Sequence, residues 1–156
     1  MIAIQTDAIR DSLLKTVNSS TTLHLSKEVS QDELVWSTIL GLISYYDNKN
    51  IDLIIEGIEI TPERIKSLNL NNLSIKPVFV GFTEDTNFNK AITDLGKDGF
   101  DTTELDQDLL KKRFDEHIEK GKKIANSANK YGYKFFSFDN NDYERYCSNV
   151  IKYLLE

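Results

Sequence analysis

The stretch Ile2-Ala3-Ile4-Gln5-Thr6-Asp7-Ala8-Ile9-Arg10 sets a short apolar strand directly against the start of a helix. Residues 2 to 6 read as the strand. Asp7 opens a helical pattern that runs to about Val17, with its carboxylate placed to accept backbone N–H groups of the first turn. The polar run Asn18-Ser19-Ser20-Thr21-Thr22 then breaks the pattern.

Working outward, Ser30 and Glu33 have capping-box spacing and introduce Leu34, Trp36, Ile39, Leu40, Ile43 and Tyr46, a buried helix ending near Asp47-Asn48-Lys49-Asn50. Ile51 to Ile55 is an apolar run too brief for a helix, and it stops at Glu56-Gly57 as a parallel strand does on reaching a ligand crevice. Thr61-Pro62-Glu63 starts the next helix, with threonine as cap and proline in the first turn. Ser74 to Phe82 holds a strand around Val78-Phe79-Val80, residues 87 to 95 a helix, and Gly96 through Thr103 a loop. Asp106 to about Lys130 has helical spacing at Leu109, Leu110, Phe114, Ile118 and Ile124. Tyr133 to Phe138 is a last strand and Asp142 to Leu155 a closing amphipathic helix. Strands alternating with helices predict an α/β fold, a parallel sheet with right-handed crossover helices. A length of 156 residues predicts one domain spanning 1–156, with 104–131 as a lid-like helical segment.

Composition narrows the function classes. A hydrophobic content of 40%, a charged content of 28% and two prolines describe an ordinary globular chain rather than a disordered linker. No apolar run approaches the roughly 20 residues that cross a bilayer, and the start lacks a basic-then-apolar leader, so no membrane partner and a cytoplasmic location are expected. A net charge of -6 argues against nucleic acid, whose phosphates are bound through excess lysine and arginine. Cys147 is the only cysteine, so no intrachain disulfide forms, and it reads as a structural thiol. His24 and His117 have no companion ligands at metal spacing, and no metal site is expected. The aromatics from Tyr131 to Phe138 alternate as sheet packing does.

Three segments, Thr6-Asp7-Ala8-Ile9-Arg10, Ile55-Glu56-Gly57-Ile58-Glu59-Ile60-Thr61-Pro62 and Lys76-Pro77-Val78-Phe79-Val80, resemble elements of the P-loop small-molecule kinases, nearest to 2-phosphoglycerate-kinase-like proteins. The likeness is to that family's "TDxIR" element on strand two, its "EGxHxxP" element after strand three, and its strand four. The departures are as specific as the likeness. Nothing here matches G-x-x-x-x-G-K-[ST], the phosphate loop, nor the family's first strand and first helix. Glu59 stands where the family usually has histidine, and Asn87-Phe88-Asn89-Lys90 replaces an arginine-rich segment.

The resemblance implies roles for particular residues. Asp7 would orient an acceptor hydroxyl or a Mg-bound water, unless it serves only as a helix cap, and Arg10 would grip an anionic group on the acceptor. Glu56 would reach Mg²⁺ through water, or else is a solvated strand end. Lys112 and Arg113 would belong to a cationic lid, or to a solvated helix face, and Asp139 and Asn140 would lie beside an adenine ring, or simply form a turn. Mg-ATP is expected as cofactor only if the absent phosphate loop is supplied.

In this family the first strand lies centrally, between the third and the fourth. Its absence implies a sheet open in the middle, completed by self-association, by a partner chain or by an omitted N-terminal segment. The expected function is therefore a kinase-like, non-catalytic protein that binds a small anion, a nucleotide or a protein partner. The alternative is an ATP-dependent phosphotransferase acting on a small hydroxylated anionic metabolite, with its phosphate loop supplied from outside the chain.

Overall fold

A computed structural model describes residues 2–19, 30–68, 74–97, 106–138 and 142–156. These residues form four strands and six helices, and the α/β character expected from the sequence is present. The strands pair only two by two: β1 (Ile2–Gln5) runs parallel to β2 (Leu53–Glu56), and β3 (Val78–Gly81) parallel to β4 (Lys134–Ser137). Instead of one continuous sheet, the described residues hold two small parallel sheets, and the chain divides into two compact units that each contain one of them.

The first unit holds β1, α1 (Thr6–Ser19), α2 (Gln31–Asp47) and β2, and extends to Arg64 in α3 (Pro62–Ser67). Register places Ile2 opposite Leu53 and Ile4 opposite Ile55. These four are half-buried, whereas Ala3, Gln5, Ile54 and Glu56 on the other face are exposed. Ser30 caps α2 as its spacing predicts, accepting a hydrogen bond from the Glu33 N–H at 3.2 Å. Val35, Trp36 and Ile39 form the buried stripe of α2, and α1 packs along α2. Thr61 caps α3 in the same manner, accepting from the Arg64 N–H at 3.3 Å. The N-terminal boundary of α1 differs from expectation. The helix begins at Thr6, so Asp7 lies inside the first turn and directs its carboxylate to Arg10.

The second unit holds β3, α4 (Phe88–Lys97), α5 (Gln107–Tyr131), β4 and α6 (Tyr143–Leu155). β3 is shorter than the apolar run around it because Pro77, just before it, has no N–H to offer a ladder. α4 continues through Gly96, where the sequence predicts a loop. Asp106 caps α5, accepting from the N–H groups of Asp108 and Leu109 at 2.9 and 3.3 Å. α5 packs on β3 and β4, burying Phe114, Gly121 and Ala128. At Gly121 the helix approaches so closely that a Cβ would stand 1.9 Å from the Phe82 carbonyl oxygen. The aromatic side chains contact one another: Phe82 lies 5.5 Å from Phe114 and 5.3 Å from Phe138, and Phe136 lies 6.0 Å from Tyr153. No helix among the described residues is long and apolar enough to cross a membrane.

Candidate functional site

Ligand crevices of parallel sheets lie beyond the carboxyl ends of the strands. In the first unit those ends are Gln5 and Glu56, which are register partners. β1 passes without a linker into α1 at Thr6, which is fully buried. β2 ends at Glu56, and the chain then turns through Gly57 to Ile60, whose N–H donates to the Gly57 carbonyl at 3.3 Å. This turn requires glycine. Gly57 has φ +151°, and a Cβ there would stand 1.5 Å from Thr6 Oγ1 and 2.5 Å from Thr6 Cβ.

The close approach of Gly57 to Thr6 brings Glu59 under the start of α1. Glu59 is 3% exposed. Its Oε2 accepts a hydrogen bond from Thr6 Oγ1, and its Oε1 forms an ion pair with Arg10 Nη2. Arg10 Nη1 reaches Asp7 Oδ1 at 2.6 Å. A buried carboxylate is costly unless it is paired and hydrogen-bonded, and Thr6 and Arg10 supply both. The Glu59 backbone is fixed as well, because its carbonyl accepts from Arg64 Nη1 at 3.0 Å. Arg64 in turn lies 5.3 Å over the Trp36 ring and reaches the Asp32 carbonyl at 3.4 Å. The start of α1, the turn after β2 and the start of α2 are thus joined through two guanidinium groups.

The chemical consequence concerns Arg10. Both of its terminal nitrogens are engaged by the chain's own carboxylates, so a bidentate grip on an outside anion requires one of them to leave. Arg10 itself faces two carboxylates, so its charge is already neutralised from within the chain. Of the residues that the sequence singles out, Asp7 and Arg10 are in contact. Glu56 is exposed at the end of β2, where it lines an open groove with Ala3, Gln5, Ala8, Ser12 and Ile54.

Lys112 and Arg113 belong to the second unit and are exposed on α5. Acids and bases alternate along that helix: Lys111 pairs with Asp115 at 2.8 Å, and Lys122 with Glu84 at 2.7 Å and Glu119 at 2.9 Å. The hydrogen bonds that Lys122 donates to Glu84 and Glu119 push its ammonium above the usual lysine range, and Lys122 holds the Glu84 carboxyl below its own. Asp139 and Asn140 lie outside the described residues, as does His24. His117 is exposed and meets the Phe82 ring at 6.0 Å. No metal-holding group of His, Cys, Asp and Glu occurs among the described residues. At the carboxyl ends of β3 and β4 the hydroxyls bond locally, Thr83 to Ser137 at 2.5 Å and Thr86 to the Phe138 carbonyl at 3.1 Å.

Sequence reasoning missed Thr6, Gly57 and Arg64, and it registered Glu59 only as a departure from a resemblance. No local signal marks Glu59, because its neighbour Ile58 is 79% exposed while Glu59 itself is 3% exposed. A scan against protein-family models, a search of curated proteins and a search of solved structures each return no match for this chain.

Proposed function

We propose that this chain is a kinase-like α/β protein that does not transfer phosphoryl groups on its own and acts by binding a small anion, a nucleotide or a protein partner. The observation that carries the non-catalytic part of this reading is the engagement of Arg10. In a phosphotransferase the acceptor's anionic group needs free cationic donors, because catalysis rests on positioning and charge neutralisation. Here the guanidinium is held by Glu59 and Asp7, and no phosphate-loop motif occurs in the 156 residues.

A second reading is favoured by the strand pairing. With the central first strand of the kinase order removed, the remaining neighbours are strands two and three and strands four and five. The ladders that form, β1 with β2 and β3 with β4, correspond to those two pairs. This supports a phosphotransferase ancestry in which another segment supplies both the central strand and the phosphate loop.

Isothermal titration with Mg-ATP tests the first reading. The first reading expects no Mg-dependent heat of binding from this chain alone. Tight, Mg-dependent binding would overturn it in favour of a nucleotide site that functions within these residues.

A further inference from the structure

We infer that Thr6, Arg10 and the turn at Gly57 form a carboxylate-binding cradle whose occupant is the chain's own Glu59. The inference deepens the reading above and rests on the same ion pair, but it concerns what the site can hold rather than what the chain descends from. Three features make Glu59 resemble a bound ligand. Its two carboxylate oxygens are divided between a hydroxyl donor and a guanidinium, Oε2 with Thr6 and Oε1 with Arg10. Both donors come from the first turns of α1, whereas Glu59 arrives on the separate turn after β2. That turn can approach only because Gly57 has no side chain to meet Thr6. Thr6 is fully buried, Glu59 is 3% exposed and the Arg10 side chain 22% exposed, so the hydrogen bond from Thr6 is stronger than on a wet surface. An outside anion therefore competes with a tethered carboxylate already in place, and the wild-type site is closed to carboxylates by its own sequence.

The test empties the cradle and refills it. Glu59→Ala removes one methylene and the carboxylate, and acetate supplies a methyl group and a carboxylate of matching size. Thermal unfolding followed through Trp36, which lies in the same unit, reads the outcome. Acetate is expected to recover most of the melting temperature lost in Glu59→Ala, by mass action on the folded state. Chloride at equal ionic strength should not, and wild type should respond equally little to both salts. Adding Arg10→Met to Glu59→Ala should abolish the recovery. If Glu59→Ala does not fold without anion, the same titration reads the return of the unfolding transition. Glu59→Gln, which fills the space and still accepts from Thr6, should show no acetate effect. The inference is overturned if acetate never restores Glu59→Ala, if recovery survives Arg10→Met, or if Glu59→Gln responds as strongly. Mg-ATP binding would overturn the non-catalytic reading and leave the cradle standing. Failure of acetate would remove the cradle and leave that reading standing.

Discussion

Replacing Gly57 with alanine should weaken the first unit sharply, and the reasons are geometric. The new methyl would stand 1.5 Å from Thr6 Oγ1 and 2.5 Å from Thr6 Cβ. Thr6 cannot move away cheaply, because it is fully buried and its backbone opens α1 directly from β1. Overpacking of this kind costs about 2 kcal/mol. At φ +151° a residue with a side chain adds about 2 kcal/mol of backbone strain. The stiffer unfolded chain returns less than about 1 kcal/mol, so the net loss is about 3 kcal/mol. For a chain of this length that lowers the melting temperature by about 9 °C. Trp36, the single tryptophan, is buried in the first unit beneath Arg64, so its fluorescence reports the affected region. Gly41→Ala is the matched control. Gly41 lies within α2, and among the described residues no atom comes within 4 Å of the position its methyl would take, so helix propensity alone should raise stability by about 1 kcal/mol. If Gly57→Ala and Gly41→Ala shift the Trp36 transition in the same direction, the tight turn that positions Glu59 is refuted.

Two further outcomes bear on the second unit. Gly121→Ala should cost about 2 kcal/mol despite the better helix propensity of alanine, because the methyl meets the Phe82 backbone rather than a movable side chain; far-UV circular dichroism during urea unfolding measures it, and an unchanged midpoint would refute the close packing of α5 on β3. Burial pushes the Tyr146 phenol up to about 12, with Cys147 and Tyr143 adding to the shift. Because the folded state holds this proton more tightly than the unfolded chain, Tyr146 contributes stability that is present below the ordinary tyrosine range near pH 10 and is lost as pH rises toward 12. Ultraviolet titration of the phenolate should show one of the seven tyrosines ionising late, and Tyr146→Phe should remove that component. Persistence of the late component in Tyr146→Phe would assign it elsewhere.

Much of the local structure was legible because it depends on neighbours in sequence. Ser30, Thr61, Asp106 and Asp142 were readable as helix starts, since a cap is a contact across two or three residues, and each accepts the expected backbone hydrogen bond. The apolar runs of β1, β2 and β3 were readable by length. Their ends were less so. Pro77 shortened β3, and Thr6 rather than Asp7 opened α1.

The candidate site divides along the same line. The contact between Asp7 and Arg10, one helical turn apart, follows from sequence spacing. The partner that matters more to Arg10 is Glu59, and it comes from beyond the next strand. Alternation and caps in the sequence determined which segments become strands and helices, and placed Asp7, Arg10 and Glu56 near strand ends. Only the tertiary structure decided that Gly57 lets Thr6 and Glu59 meet, so that a surface-looking glutamate becomes the buried counter-ion of Arg10. The physical reason is range. Hydrogen bonding within a turn is fixed by a few adjacent residues, whereas the pairing of a buried charge depends on which distant segments the parallel ladder brings side by side.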